Sequence, residues 1–271
     1  MDWSTPGLGL RIGGHRGAAA EAPENTFAGF ERAAAAGVDY IETDVQLSAD
    51  GHPLVFHDDA LDRTTDGTGA FASATADHLL ALDAGAWFDR RFRGERIPTL
   101  DGFLAWLARR PGLGATIEAK GPGSGMPIAR AIGASPVRAH LSICSFSADE
   151  LRMAASVDES IRRILIADRD RPEANVALLA AAAGAAVVNV PLAWLDRRAV
   201  HGLHAAGLLV AAGTIDDETG ISACLDLGVD FVDSNHPSLT VAARRALAGT
   251  GRGTGLGADT GGLESSGGAI G

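Results

Sequence analysis

The stretch Phe27-Ala28-Gly29-Phe30-Glu31-Arg32-Ala33-Ala34-Ala35-Ala36-Gly37-Val38-Asp39-Tyr40-Ile41-Glu42-Thr43-Asp44-Val45-Gln46-Leu47 holds one complete change of secondary structure. Its first ten residues are alanine-rich and good helix formers, and Gly37 supplies the residue that a helix end needs in the left-handed region. From Val38 the pattern changes to β-branched and alternating, which reads as a strand. On the N-terminal side, Pro23-Glu24-Asn25-Thr26 is a loop feeding the helix, with Asn25 or Thr26 as its N-cap.

Working outward, the same alternation recurs along the chain. Strands are expected at 8–12, 38–47, 114–118, 140–144, 161–166, 185–190, 208–212 and 229–233, and helices at 27–36, 102–110, 126–133, 148–156, 172–183, 196–206, 218–227 and 237–247. Eight βα units with continuous apolar strands predict a parallel sheet closed into a (β/α)8 TIM barrel, with an open doubly wound sheet as the second choice. The 271 residues are long for an ordinary domain but normal for such a barrel. The regularity breaks between 60 and 98, where turn residues, aromatics and charges mix. That segment reads as a small inserted subdomain after the second strand, lying over a pocket. The expected organisation is one catalytic domain over 1–248 and a Gly-, Thr- and Ser-rich disordered tail over 249–271.

With 46% hydrophobic residues and a mean hydropathy near zero, the composition is that of a soluble globular protein. A formal net charge of −11 argues against nucleic acid or an anionic membrane as partner. It leaves room for a small anionic substrate held by a few local cations. The two cysteines, Cys144 and Cys224, sit in apolar runs and read as buried free thiols. Residues 1–6 lack the basic and apolar regions of a signal peptide, and no run is long enough to span a membrane, so the expected location is cytoplasmic.

The chemistry collects where strands of a barrel end. Gly13-Gly14-His15-Arg16-Gly17 follows the first strand and reads as a glycine turn carrying a titratable ring and a guanidinium. Glu42 and Asp44 are two apart on the second strand, so they share a face. Glu118 and Lys120 share a face at the end of the third, and His57 ends the extended piece Pro53–Val55 and Phe56. Two carboxylates on one face repel unless a cation lies between them, and three carboxylates favour a hard divalent ion, Mg²⁺ or Ca²⁺, over zinc. His15 and His57 suit acid/base roles, while Arg16 and Lys120 suit an anion. Together they describe metal-assisted attack on a phosphodiester. His52, His78, His140, His201, His204 and His236 read as ordinary surface or packing residues, although His236 lies near the rim. Asp58, Asp59 and the segment 62–66 read as loop-shaping.

His15-Arg16-Gly17, Pro23-Glu24-Asn25-Thr26, Ile41-Glu42-Thr43-Asp44-Val45 and Val55-Phe56-His57-Asp58 resemble, in order, the motifs of the glycerophosphodiester phosphodiesterase family. The resemblance continues through Leu61-Asp62-Arg63-Thr64-Thr65-Asp66-Gly67-Thr68-Gly69, Ile97-Pro98-Thr99-Leu100, Ile117-Glu118-Ala119-Lys120 and Ser145-Phe146. It implies one divalent cation held by Glu42, Asp44 and Glu118, an acid/base pair in His15 and His57, and phosphate contacts from Arg16 and Lys120. The implied reaction releases glycerol 3-phosphate and an alcohol such as choline or ethanolamine. Two positions depart from the family pattern. Gly213-Thr214-Ile215-Asp216 stands where a Trp-Thr pair is usual, and Ser234-Asn235-His236-Pro237 where Thr-Asp precedes a Pro. Trp194 is a candidate to occupy the space of the missing aromatic. A lysophospholipase D or a cyclising phospholipase on the same scaffold, or a non-catalytic barrel binding a phosphorylated ligand, are the alternative readings.

Overall fold

A computed structural model describes residues 9–167 and 175–249. Eight parallel strands close on themselves: β1 (Arg11–Gly14), β2 (Tyr40–Leu47), β4 (Gly114–Ala119), β5 (Leu141–Ser145), β6 (Arg162–Ile166), β7 (Val187–Val190), β8 (Leu209–Gly213) and β9 (Phe231–Ser234). β1 pairs with both β2 and β9, which shuts the barrel. A short strand β3 (Pro53–Val55) runs antiparallel to β2 on its outer end. The helices follow their strands: α1 (Phe27–Ala36), α3 (Leu100–Ala108), α4 (Gly125–Ala134), α5 (Ala148–Val157), α6 (Val176–Ala183), α7 (Arg197–Ala205), α8 (Glu218–Leu227) and α9 (Pro237–Gly249), with the small α2 (Ala76–Ala81) in the insertion. The expected tail beyond 249 and the start of the expected 172–183 helix lie outside the described residues.

The alternation along β2 explains the two cores. Ile41 and Val45 point outward into the layer between strands and helices, whereas Tyr40 points inward with Cys144, Ile164, Val187, Leu209, Ala211 and Phe231. Glu42 and Asp44 have the parity of Tyr40, so they follow it up the inside of the barrel. Because both faces are covered, β2 is buried almost throughout rather than on one side only.

The first strand is shifted from its expected place at 8–12. It runs through Gly13 and Gly14, which pair with Tyr40 and Ile41 on one side and Asp233 and Ser234 on the other. Gly13 is needed for close packing against the ladder, whereas Gly14 serves the expected turn, since a Cβ there would lie 2.1 Å from the Gly17 carbonyl oxygen. A Cβ on Gly13 would lie 2.2 Å from the Tyr40 ring.

Of the two expected N-caps for α1, Thr26 is the one used, its hydroxyl accepting from Gly29 N at 3.2 Å. Gly37 closes the helix at φ 85° as expected. Phe30 on its buried face meets Phe103 of α3 at 4.9 Å between ring centroids. The segment between β3 and α3 carries its own apolar cluster, in which Phe71, Leu79, Leu61 and Ile97 pack with Leu54 and Phe56.

Candidate active site

Every singled-out site residue lies at the end of the barrel where the strands terminate. His15 and Arg16 leave β1, Glu42 and Asp44 lie on β2, Glu118 ends β4 and Lys120 follows it, and His57 lies just beyond β3. His15, Arg16, Glu42, His57, Glu118 and Lys120 line one cavity of about 380 Å³. The opposite wall is apolar, built by Phe146, Ile164, Ile166, Val190 and Pro191, with Gly213 and Asp233 between the two halves.

Arg16 sits at φ 50°, in the left-handed region, and this turns its backbone N–H onto Glu42 Oε2 at 2.9 Å. Its guanidinium donates to Glu24 at 2.8 Å and lies 3.5 Å from Asp44 Oδ2. Burial would lower its pKa, but Asp44, Glu24 and Glu42 raise it above the ordinary arginine value. Lys120 Nζ lies 3.3 Å from Glu118 and 3.9 Å from Asp44.

Four buried carboxylates stand inside this rim: Glu42, Asp44, Glu118 and Asp233. Burial, then repulsion from Asp44, Asp233 and Glu118, pushes Glu42 well above the usual carboxylate range. Burial and Asp44 push Glu118 up to about 7 against the pull of Lys120. Asp44 is held below its ordinary value despite burial, by Arg16, His57 and Lys120 and by a hydrogen bond from Asn25. Burial raises Asp233, with His15, Tyr40 and Asn189 opposing. Carboxylates crowded until they resist ionising are the setting in which a divalent cation fits. Ligand atoms of Glu42, Glu118 and Cys144 lie within 4.8 Å of one another. Asp44 is turned instead toward Asn25, Arg16 and Lys120.

Both histidines are held through Nδ1. His57 Nδ1 meets Asp58 Oδ1 at 2.6 Å, and His15 Nδ1 meets Asn235 Oδ1 at 2.7 Å. Asp58 is in turn gripped by Arg63, which also donates twice to Glu24. Burial lowers the His57 pKa and Arg16 adds to this, while Asp44 and Asp58 oppose. Ordered from one residue to the next, His57, Asp58, Arg63, Glu24 and Arg16 form a single hydrogen-bonded chain joining the insertion to the first loop.

Residues 15–239 match the model of the glycerophosphoryl diester phosphodiesterase family. The chain belongs to that family. It is 33% identical over 232 residues to YhdW of Bacillus subtilis, covering 84% of this chain and 95% of that protein. Among solved structures it is similar to the glycerophosphodiester phosphodiesterase of Agrobacterium tumefaciens, at 34% identity and a TM-score of 0.73, covering 86% of this chain and 99% of that one. It is also similar to a phosphodiesterase of Oleispira antarctica in complex with the product sn-glycerol-3-phosphate, at 30% identity and a TM-score of 0.78 over 86% and 96% of the two chains. The glycerophosphodiester phosphodiesterase barrel therefore carries an enzyme site here.

Other readings of the sequence needed the fold to correct or extend them. Trp194 does not fill the space beside Gly213; it lines a separate groove with Leu195 and Val176. His236 is exposed. Asp58 does more than shape a loop, since it holds His57. Asp233, Asn189 and Tyr40 were not singled out, yet Tyr40 and Asn189 donate to Asp233 at 2.8 and 3.2 Å within the site. Asp233 shares the parity of Phe231 on β9, which was the available signal. Cys144 and Cys224 are free and buried, as expected, and burial pushes the Cys224 thiol up to about 12. Among the described residues no helix is long and apolar enough to cross a membrane.

Proposed function

We propose that this enzyme hydrolyses small glycerophosphodiesters to glycerol 3-phosphate and an alcohol, with His15 and His57 as the acid/base pair. The observation that carries the reading is the backing of both rings at Nδ1, which leaves Nε2 of each as the ring nitrogen free for the cavity. One ring takes the proton of the nucleophile and the other returns one to the leaving alkoxide. Arg16 and Lys120, both cationic and lining the cavity, bind the phosphoryl oxygens. Asn25 and Glu24 keep Arg16 and Asp44 in place while they do so.

Glu42, Asp44 and Glu118 would hold the divalent cation, Mg²⁺ or Ca²⁺. The bound ion supplies Lewis-acid polarisation of the phosphoryl group. The repulsion that lifts Glu42 and Glu118 supports this assignment, because a cation relieves it. The catalytic domain is taken as 1–248 with 60–98 as an inserted subdomain, in keeping with the separate apolar cluster of that segment. Two unpaired cysteines fit a reducing, cytoplasmic setting.

The apolar wall of Phe146, Ile164, Ile166, Val190 and Pro191 favours one second reading, a lysophospholipase D acting on a substrate with an acyl chain. The test is release of glycerol 3-phosphate from glycerophosphocholine and glycerophosphoethanolamine, measured with Mg²⁺, with Ca²⁺ and with EDTA. Metal-dependent release supports the main reading. Absence of release, with choline freed from lysophosphatidylcholine instead, transfers the assignment to the second.

A further inference from the structure

The loop after β8 grips the end of β9 through one carboxylate. Asp216 Oδ1 accepts from the Asn235 backbone N–H at 2.7 Å and from the Ser234 hydroxyl at 3.2 Å, and Oδ2 accepts from Asn235 Nδ2 at 2.8 Å. An ionised carboxylate offers only lone pairs, so the Asn235 group facing it must be the amide nitrogen. The reversed amide would set two acceptor oxygens against each other. With its nitrogen committed to Asp216, Asn235 turns its carbonyl oxygen to His15 Nδ1 at 2.7 Å. That oxygen only accepts, so the neutral ring carries its proton on Nδ1 and its lone pair on Nε2. On the other side Nε2 lies 3.9 Å from Glu42 Oε2, beyond hydrogen-bond reach.

The support behind Asn235 is rigid. Its backbone carbonyl accepts from Ala20 N at 3.0 Å, and the neighbouring Ser234 carbonyl accepts from His15 N at 2.9 Å. The same two residues of β9 and its exit therefore anchor both the backbone and the ring of His15. His57 is backed differently, with the Asp58 carboxylate directly on Nδ1.

We propose that Asp216 and Asn235 are positioning residues that fix the tautomer of His15, leaving an unprotonated Nε2 toward the cavity. The inference rests on the reading that His15 exchanges a proton with the phosphodiester. It also gives the asparagine a reason. An aspartate at 235 would oppose Asp216, whereas an asparagine can donate to Asp216 and accept from His15 at once. Reversing the order, with the amide at 216 and the carboxylate at 235, restores an acceptor for His15 Nδ1.

The test combines two-bond ¹H–¹⁵N correlation spectra of the ¹⁵N-histidine-labelled, metal-free full chain with steady-state kinetics on glycerophosphocholine. The His15 signals are assigned by their loss in His15→Gln. The wild type is expected to show His15 protonated at Nδ1. Asn235→Leu is expected to lose that signature and to lower kcat about 10–100-fold with KM within about threefold, as for the outer support of a catalytic group. Asn235→Asp alone is also expected to be impaired, and the double variant Asp216→Asn/Asn235→Asp to recover the Nδ1-protonated form and most of the turnover. Should Asn235→Leu fail to fold by circular dichroism, the double variant against Asn235→Asp gives the same comparison. A wild-type His15 protonated at Nε2, or a tautomer unmoved in Asn235→Leu, overturns the proposal. A tautomer that moves as expected with turnover unchanged supports the positioning and removes His15 from the acid/base reading instead.

Discussion

Asn25 Nδ2 donates to Asp44 Oδ2 at 2.8 Å, and both side chains are buried. The carbonyl end of the same amide accepts from the Thr43 hydroxyl at 2.7 Å. Asn25 holds φ 55°, a left-handed conformation that asparagine tolerates better than most residues. This one residue therefore joins the loop before α1 to the carboxylate-bearing strand. Asn25→Ala removes the amide donor of Asp44, leaving it to Arg16 and Lys120, removes the acceptor of the Thr43 hydroxyl, and keeps a non-glycine residue in a costly conformation. It is expected to lower stability by about 2–4 kcal/mol, read from urea unfolding.

Arg63 sets a second prediction, with a definite pH sign. Its hydrogen bonds, ahead of all other influences, hold Asp58 well below the usual carboxylate range. Glu24 is also held low, against burial, by Arg63 and Arg16. A carboxylate whose folded pKa is depressed adds stability above its unfolded value and loses it as pH falls through the folded one. Arg63→Met is therefore expected to cost about 1 kcal/mol near neutrality, a modest figure because Arg63 is half-exposed to screening solvent. The difference from wild type should narrow below about pH 4, where unfolded Asp and Glu take up protons. Unfolding curves at neutral pH and at several acid values measure it.

His15→Gln and His57→Gln should each reduce kcat by about 10²–10⁴-fold while the far-ultraviolet circular dichroism spectrum stays unchanged. Gln keeps a polar group near Asn235 or Asp58 but cannot carry the proton. Activity within tenfold of wild type in either variant would remove that ring from the reaction.

The metal assignment is checked by calorimetric titration of Mg²⁺ and Ca²⁺ into chelated protein. Glu42→Gln and Glu118→Gln are expected to abolish measurable binding. Asp44→Asn distinguishes a ligand from a partner of Arg16, Asn25 and Lys120: loss of binding marks the former. Cys144→Ser should leave Mg²⁺ affinity within about threefold, because a thiol contributes little to a hard ion.

Gly213 tests the cavity. A Cβ there would touch Asp233 Oδ2 at 3.4 Å and Asn189 Nδ2 at 3.6 Å, which is ordinary contact. Gly213→Ala should therefore fold and turn over normally. Gly213→Phe should narrow the gap between the polar and apolar walls and raise KM for glycerophosphocholine more than for glycerophosphoethanolamine, whose head group is smaller.

What the chain discloses locally is whatever repeats along it. Alternation put Tyr40, Glu42 and Asp44 on one face of β2, and helix-forming runs capped by glycine marked the βα units, because those periods depend on neighbours a few residues apart. The ordered motifs from His15 to Lys120 were legible for the same reason. Barrel closure decided the remainder. Pairing of β1 with β9 brings Asn235 to His15 across 220 positions and carries Asp216 behind it. It also shifted β1 into its glycines, since the Tyr40 ring needs the space above Gly13. No local period records such a meeting. The sequence by itself determined the barrel, the family and the set of candidate side chains that the barrel rim brings together. Only the tertiary structure decided that Asn235 and Asp216 stand behind His15, because hydrogen bonds between distant strand ends exist only once the sheet has closed.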